Sequence, residues 1–328
     1  MSSASRSDPM RGGGRATGGR AASRGDSMGG GGRATGGHVR LEMFNSLWAM
    51  EDLPWHAPRP WTIAEQLDRL VESGFDGVAV DLGARGRPEA DELAALREHR
   101  LRTAVFAFIR DGADLDAALR YADTIGADRM VVCGCLFDHD LAAVSKTVLH
   151  WHRRCAAAGV AMQLETHRNT LTDDIRTTTR LLRELDAEVK LAIDLSHYVC
   201  GSEFPLPPTA EIEGHLEALF ARAESVQGRI ATRCQVQIPL GFPQHRAWEE
   251  LFQDWWIRAF TAILRRRDHD GSPEPVMFCT ELGTTPYAIT DRDGSELSDR
   301  WADTLTLRDR AEAAFAAADP FERPASSR

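Results

Sequence analysis

The sequence predicts an α/β protein, a (β/α)8 TIM barrel preceded by a disordered Gly/Arg-rich N-terminal tail. Three observations predict it. Short apolar or β-branched runs alternate with stretches of helical periodicity eight times from residue 38 onward. Successive runs start about 34 residues apart, the spacing of βα units in parallel sheets. Eight such units in about 290 residues fit a closed barrel, which typically takes ~250 residues. A doubly wound open sheet would instead want a glycine-rich phosphate turn after an early strand, and Gly83-Ala84-Arg85-Gly86 is a poor match.

Taken in order, the expected strands are 39–44, 77–82, 103–109, 129–133, 160–165, 189–195, 230–238 and 275–281. The first helix is the clearest. Thr62 and Glu65 form a Thr-x-x-Glu capping box, Ile63, Leu67, Leu70 and Val71 share one face, and Gly74 closes the helix. Later helices are expected over 89–98, 115–125, 141–158, 173–185, 210–224, 247–266 and 298–317. Residues 1–37 are expected as a low-complexity tail, 38–320 as the barrel and 321–328 as a C-terminal tail.

Composition bounds the function. The chain has 328 residues, 43% hydrophobic and 27% charged, with a formal net charge of −10 and a mean hydropathy of −0.33. That is a globular composition, and no apolar run is long enough to span a membrane. The first 37 residues hold 12 of the 27 glycines, six arginines and two acids, so the tail is +4 and the remaining chain −14. A barrel of that charge is not expected to bind nucleic acid. Lys146 and Lys190 are the only lysines, which argues against Schiff-base chemistry. The six cysteines form no C-x-x-C pair, and four lie in apolar runs, as expected of a reduced, cytoplasmic protein.

In a barrel the chemistry stands at the C-terminal strand ends, and four consecutive expected strands end in polar residues. Strand five runs Val160-Ala161-Met162-Gln163-Leu164-Glu165, strand six Leu191-Ala192-Ile193-Asp194, strand seven Arg233-Cys234-Gln235-Val236-Gln237-Ile238, and strand eight Val276-Met277-Phe278-Cys279-Thr280-Glu281. Side chains alternate with period two. Gln163 and Glu165, Ala192 and Asp194, Gln235 and Gln237, and Cys279 and Glu281 would therefore face inward. Glu165, Asp194 and Glu281 each fall about six residues into a strand, at one depth. Three converging carboxylates repel. Either protons or a cation must sit among them, and oxygen ligands suit Mn²⁺ or Mg²⁺.

Glu165-Thr166-His167, Asp194-Leu195-Ser196-His197 and Glu281-Leu282-Gly283 together resemble the sugar phosphate isomerase/epimerase family, the xylose isomerase-like TIM barrels, over residues 39–317. The resemblance implies a divalent metal, Mn²⁺ or Mg²⁺ with Co²⁺ or Zn²⁺ as alternatives, held by Glu165, Asp194 and Glu281. A strand-seven histidine is its usual fourth ligand, within a His-x-Lys or His-x-Arg pair. Here Gln235 would take that place and Gln237 the substrate-contacting one. His197 would touch substrate, and His167 would stand above Glu165. Trp48, with Trp55 and Trp61 near it, is a candidate aromatic wall for a sugar face.

The implied activity is metal-dependent isomerisation or epimerisation of a sugar or sugar phosphate. Glu165 and Glu281 would move a proton through a metal-bound cis-enediolate. A dehydratase acting on a keto-polyol, in the manner of the inosose dehydratases, is the alternative, and a non-catalytic sugar-binding barrel is a third. The expected partner is a small carbohydrate or polyol; oligomeric state is open. Arg168, Arg233 and Arg246 are candidate phosphate contacts.

Overall fold

In a computed structural model, residues 39–318 are described apart from 56, 85–87, 89–91, 93–95 and 97. The expected N-terminal tail, residues 321–328, His38, His56 and most of the expected helix over 89–98 lie outside the described residues. Eight parallel strands close into a barrel, each paired with its sequence neighbours and β1 with β8. They are β1 Leu41–Ser46, β2 Gly77–Asp81, β3 Arg102–Ile109, β4 Arg129–Gly134, β5 Ala161–Glu165, β6 Lys190–Ile193, β7 Ala223–Gly228 and β8 Val276–Thr280. Around them run α1 Ile63–Glu72, α2 Gly112–Ile125, α3 Leu141–Ala157, α4 Ile175–Glu184, α5 Leu195–Gly201, α6 Ala210–Phe220, α7 Arg246–Asp270 and α8 Arg300–Ala317. None of the described helices is long and apolar enough to cross a membrane.

Local rules fix the elements. The Thr62–Glu65 capping box forms at α1. Asp111, Asp140, Asp174, Asp194, Thr209 and Asp299 cap later helices through their side chains, each meeting N–H groups the first turn leaves unpaired. Thr62→Ala should therefore lower stability by about 1 kcal/mol, read as a shifted urea midpoint with an unchanged slope.

Strand alternation sorts the interior from the shell. Val80, Val132, Leu164, Ile193, Val226 and Phe278 face outward into the main core beneath the helices. Trp255 and Trp256 of α7 are fully buried there, so they serve packing within the chain. Phe44, Ala79, Ala104, Phe106, Val131, Ala192, Met277 and Cys279 form a separate cluster inside the barrel. Below that plug lies a charged floor: Glu42 receives Arg102 Nη1 at 2.7 Å, with Arg129 Nη1 at 3.3 Å and Arg40 also in contact. Above it lies the mouth.

Strand seven corrects the sequence reading. It is Ala223–Gly228, not 230–238. The later run folds back on itself instead. Thr232 and Gln235 form an antiparallel bridge, and Ile238 N–H donates to Ile230 O at 3.0 Å. Its strand-like alternation arises because Ile230, Ala231 and Ile238 are buried under the loop while Arg233, Cys234 and Gln235 are exposed.

Candidate active site at the barrel mouth

Four strand ends deliver charged groups to one point. Glu165 is the last residue of β5 and Asp194 caps α5 directly after β6. Gly228 pairs with Thr280 across β7 and β8, so Arg229 and Glu281, the next residues, stand side by side beyond the ladder. The three carboxylates each present an oxygen within 4.8 Å of the others, and Glu165, His167 and His197 form a second such group. All but His167 are buried.

Arg229 holds the cluster together. Its Nη2 donates to Asp194 Oδ2 and lies 3.4 Å from Glu281 Oε2, while Nε donates to Ser196 Oγ at 3.0 Å. The guanidinium stacks 5.7 Å from the Trp48 ring. Burial alone would lower its pKa, but Asp194 and Glu281 outweigh burial and raise it.

The carboxylates are pushed the other way. Burial, with Asp194 adding to it, lifts Glu165 to about 8 even though the Cys133 thiol donates to Oε2 at 2.9 Å. Burial and the neighbouring Glu165 lift Glu281 well above the usual carboxylate range. Asp81, at the end of β2, is also raised by burial. These shifts follow from charge balance: one guanidinium cannot neutralise three buried carboxylates, so protons stay on some of them.

The histidines are neutral. Burial lowers His167 to about 4 and His197 well below its usual value. His167 Nδ1 lies 2.5 Å from Arg168 O; this assigns the proton to Nδ1 and leaves Nε2 an acceptor. His197 Nδ1 lies 2.7 Å from Arg168 Nη1, and its Nε2 lies 2.9 Å from Arg229 Nη2 and 3.3 Å from Asp194 Oδ2. Arginine only donates and a neutral ring accepts at one nitrogen only, so the two guanidinium groups compete for the ring's single lone pair. The two rings lie 3.9 Å apart.

Over this floor opens a cavity of about 390 Å³, walled by Trp48, Phe106, Phe108 and Tyr287, with Glu51 and Asp81 on one side. That volume lies within the range of small-molecule sites. Trp48 thus lines the mouth of the barrel. Trp61 packs instead against Trp301, ring centroids 5.8 Å apart. Tyr287 meets Trp48 edge-on at 5.2 Å and accepts from Arg168 Nη2 at 3.1 Å.

Gln235 and Gln237 do not take part. Gln235 sits at the exposed tip of the folded-back loop, its side chain accepting from Thr232 Oγ1 at 3.0 Å. Gln237 is buried but spends its amide on the Gly283 backbone, at 2.9 and 2.8 Å, so it anchors the loop after β8. Among the arginines proposed for phosphate, Arg233 pairs with Glu203 and Arg246 with Glu250; Arg168 alone adjoins the site. Sequence reasoning missed Asp81, Cys133 and Arg229. The period-two rule carried along strands two and four would have reached Asp81 from Ala79 and Cys133 from Val131. Arg229 was hidden by the misplaced strand.

The His-x-Arg spacing expected at strand seven falls on Gln227-Gly228-Arg229. Gln227 is neutral, and both its polar atoms are buried with no hydrogen-bond partner among the described residues. The three carboxylates are grouped closely enough to hold a metal ion, but with Arg229 among them the site as it stands does not fit a resident divalent ion. The basic nitrogen ligand is replaced by an amide, and an ion bridging Asp194 and Glu281 would have to displace the guanidinium that already joins them.

No protein-family model matches the chain, and no curated protein matches it. Solved structures do. A D-allulose 3-epimerase from Methylomonas sp. superposes with a TM-score of 0.52 at 14% identity, covering 84% of this chain and 97% of that one. The fold is that of the xylose isomerase-like TIM barrels. A barrel of that description from Mycobacterium smegmatis, in complex with magnesium, gives a TM-score of 0.51 at 13% identity, covering 84% and 98%. The probable 3-DHS dehydratase AsbF from Bacillus anthracis gives 0.50 at 15%, covering 81% and 98%.

Proposed function

We propose that this barrel is an enzyme that shifts a proton on a small polyhydroxylated carbonyl compound, as an isomerase or epimerase. One observation carries the reading. Glu165 and Glu281 are buried side by side at the base of one cavity and share protons with raised affinity. Such a pair can take a proton from a carbon next to a carbonyl and return it elsewhere. Trp48 and Tyr287 offer flat apolar faces to a sugar ring, while His167 Nε2 and the Glu51 and Asp81 carboxyls face its hydroxyls.

The fold supports the reading without choosing the reaction, since an epimerase and a dehydratase share it. The same pair could protonate a departing β-hydroxyl, which would make the enzyme a lyase. The test is a panel of ketoses, aldoses and keto-polyols incubated with the protein in D2O. Deuterium appearing at the carbon beside the carbonyl, with an isomer or epimer accumulating, is the expected result. An unsaturated product would select the lyase. No exchange with any member of the panel would refute proton transfer on this substrate class.

A further inference from the structure

We propose that Arg229 is the resident cation of this site, standing where the resemblance places a divalent metal, and that it holds the substrate oxygen through Nη1. The catalytic half rests on the proton-transfer reading above; the exclusion of metal does not.

The guanidinium carries five N–H donors in a rigid fork. Nε and Nη2 are committed to Ser196, Asp194, His197 and Glu281. Nη1 donates to no protein group among the described residues, on a side chain that is buried yet lines the cavity. The fork is thus gripped along one edge and presents its other arm toward the space a ligand would fill. Trp48 covers one face of it, which further limits its swing. A cation fixed in this way is set for charge that develops on a substrate oxygen.

The chain leaves the metal poorly provided for. A mobile arginine would be a weak obstacle, but this one is buried and held by Ser196, Asp194, His197 and Glu281, where a charge-assisted contact is strong. Phe278 contributes from below: a Cβ on Gly228 would lie 2.5 Å from its ring. Glycine at that position lets β7 lie against the ring and set Arg229 beside Glu281, whose N–H donates to Gly228 O at 3.0 Å.

The step balances without a further reactant. One carboxylate of the Glu165–Glu281 pair takes the proton from the carbon beside the carbonyl. The C–H electron pair becomes the new C=C bond, and the carbonyl π pair moves to oxygen, where the Nη1–H groups hold it. Return of the proton to the same carbon gives the epimer; return to the neighbouring carbon, with the hydroxyl proton passing to the former carbonyl oxygen as the new C=O forms, gives the isomer, with no change of oxidation state overall.

The experiment is a Mn²⁺ titration followed by electron paramagnetic resonance on the full chain, with Arg229→Ala and Arg229→Lys beside it. Wild type should take up no stoichiometric Mn²⁺, and its deuterium exchange should survive a chelator. Arg229→Ala leaves three carboxylates within reach of one another, an oxygen set suited to a hard cation, and should gain one Mn²⁺ per chain. Arg229→Lys keeps the charge but not the fork. It should still exclude Mn²⁺ while slowing exchange by about 10²-fold. One Mn²⁺ bound by wild type and lost in Glu281→Gln would overturn the proposal, as would Mn²⁺ exclusion by a folded Arg229→Ala. If that variant does not fold, wild type and Arg229→Lys decide the question alone. Failure to find any exchanging substrate would count against the proposed reaction and leave the metal result standing.

Discussion

Glu165→Gln should slow deuterium exchange by about 10³-fold, the loss typical of a removed acid–base group, while leaving the fold intact. The isostere keeps the volume beside Cys133 and removes the site that accepts the proton. Wild type should show an alkaline optimum. With Glu165 at about 8, most of the base is protonated at neutral pH, so the exchange rate climbs toward pH 8. It falls again at higher pH as the pair loses its second proton, because both members titrate together. A rate that is flat from pH 5 to 8 would contradict this account, since it would require a carboxylate already ionised in the acid range.

The same variant should be more stable than wild type in alkali. Glu165 has a folded-state value of about 8 against an ordinary 4.5, so between these values the folded protein binds more protons than the unfolded chain. Its favourable contribution is complete below about 4.5 and is lost as pH rises through 8. Urea unfolding at pH 5 and pH 9 should show wild type losing stability across that window and Glu165→Gln losing less. An active site that is less stable than its inactive isostere is the trade-off expected when like charges are gathered for chemistry.

Much of this was legible in the sequence, for identifiable reasons. Strands five, six and eight are regular, with apolar outward residues alternating against Gln163, Glu165, Asp194, Cys279 and Glu281, and period two then sets three carboxylates at one depth. Strand seven defeated the same rule. In Ala223–Gly228 the inward positions are Ser225 and Gln227, the outward apolar signal is only Ala223 and Val226, and the run starts just after α6 ends at Phe220. The sequence pattern therefore reads as a continuation of the helix, while the buried isoleucines of the following loop imitate a strand. The error moved the strand end away from Arg229 and left Gln235 and Gln237 in its place. In a chain with 39 basic residues, only two of them lysine, one arginine carries no signal of its own. What marks Arg229 is register, which pairing across β7 and β8 supplies and composition does not.

The opposite end of the barrel should answer a different measurement. Glu42→Ala should destabilise the protein by about 3–5 kcal/mol, the cost of leaving a buried ion pair half made. Glu42 has no exposed surface, and Arg102 and Arg129 both converge on it. Arg129 is itself nearly buried, lying 5.4 Å from the Phe44 ring, and it would lose the carboxylate while keeping its second partner, Asp128. The loss should appear as a lower urea midpoint. Exchange per folded molecule should be preserved, because the apolar cluster of Phe44, Ala79, Val131 and Met277 lies between this floor and the carboxylates. A Glu42→Ala protein as stable as wild type would mean that the arginines escape to solvent at no cost. A stable one with impaired exchange would mean that the plug transmits strain. The expected division places stability below the plug and proton transfer above it, with a buried arginine meeting carboxylate at each end: Arg129 with Glu42 below, Arg229 with Asp194 and Glu281 above.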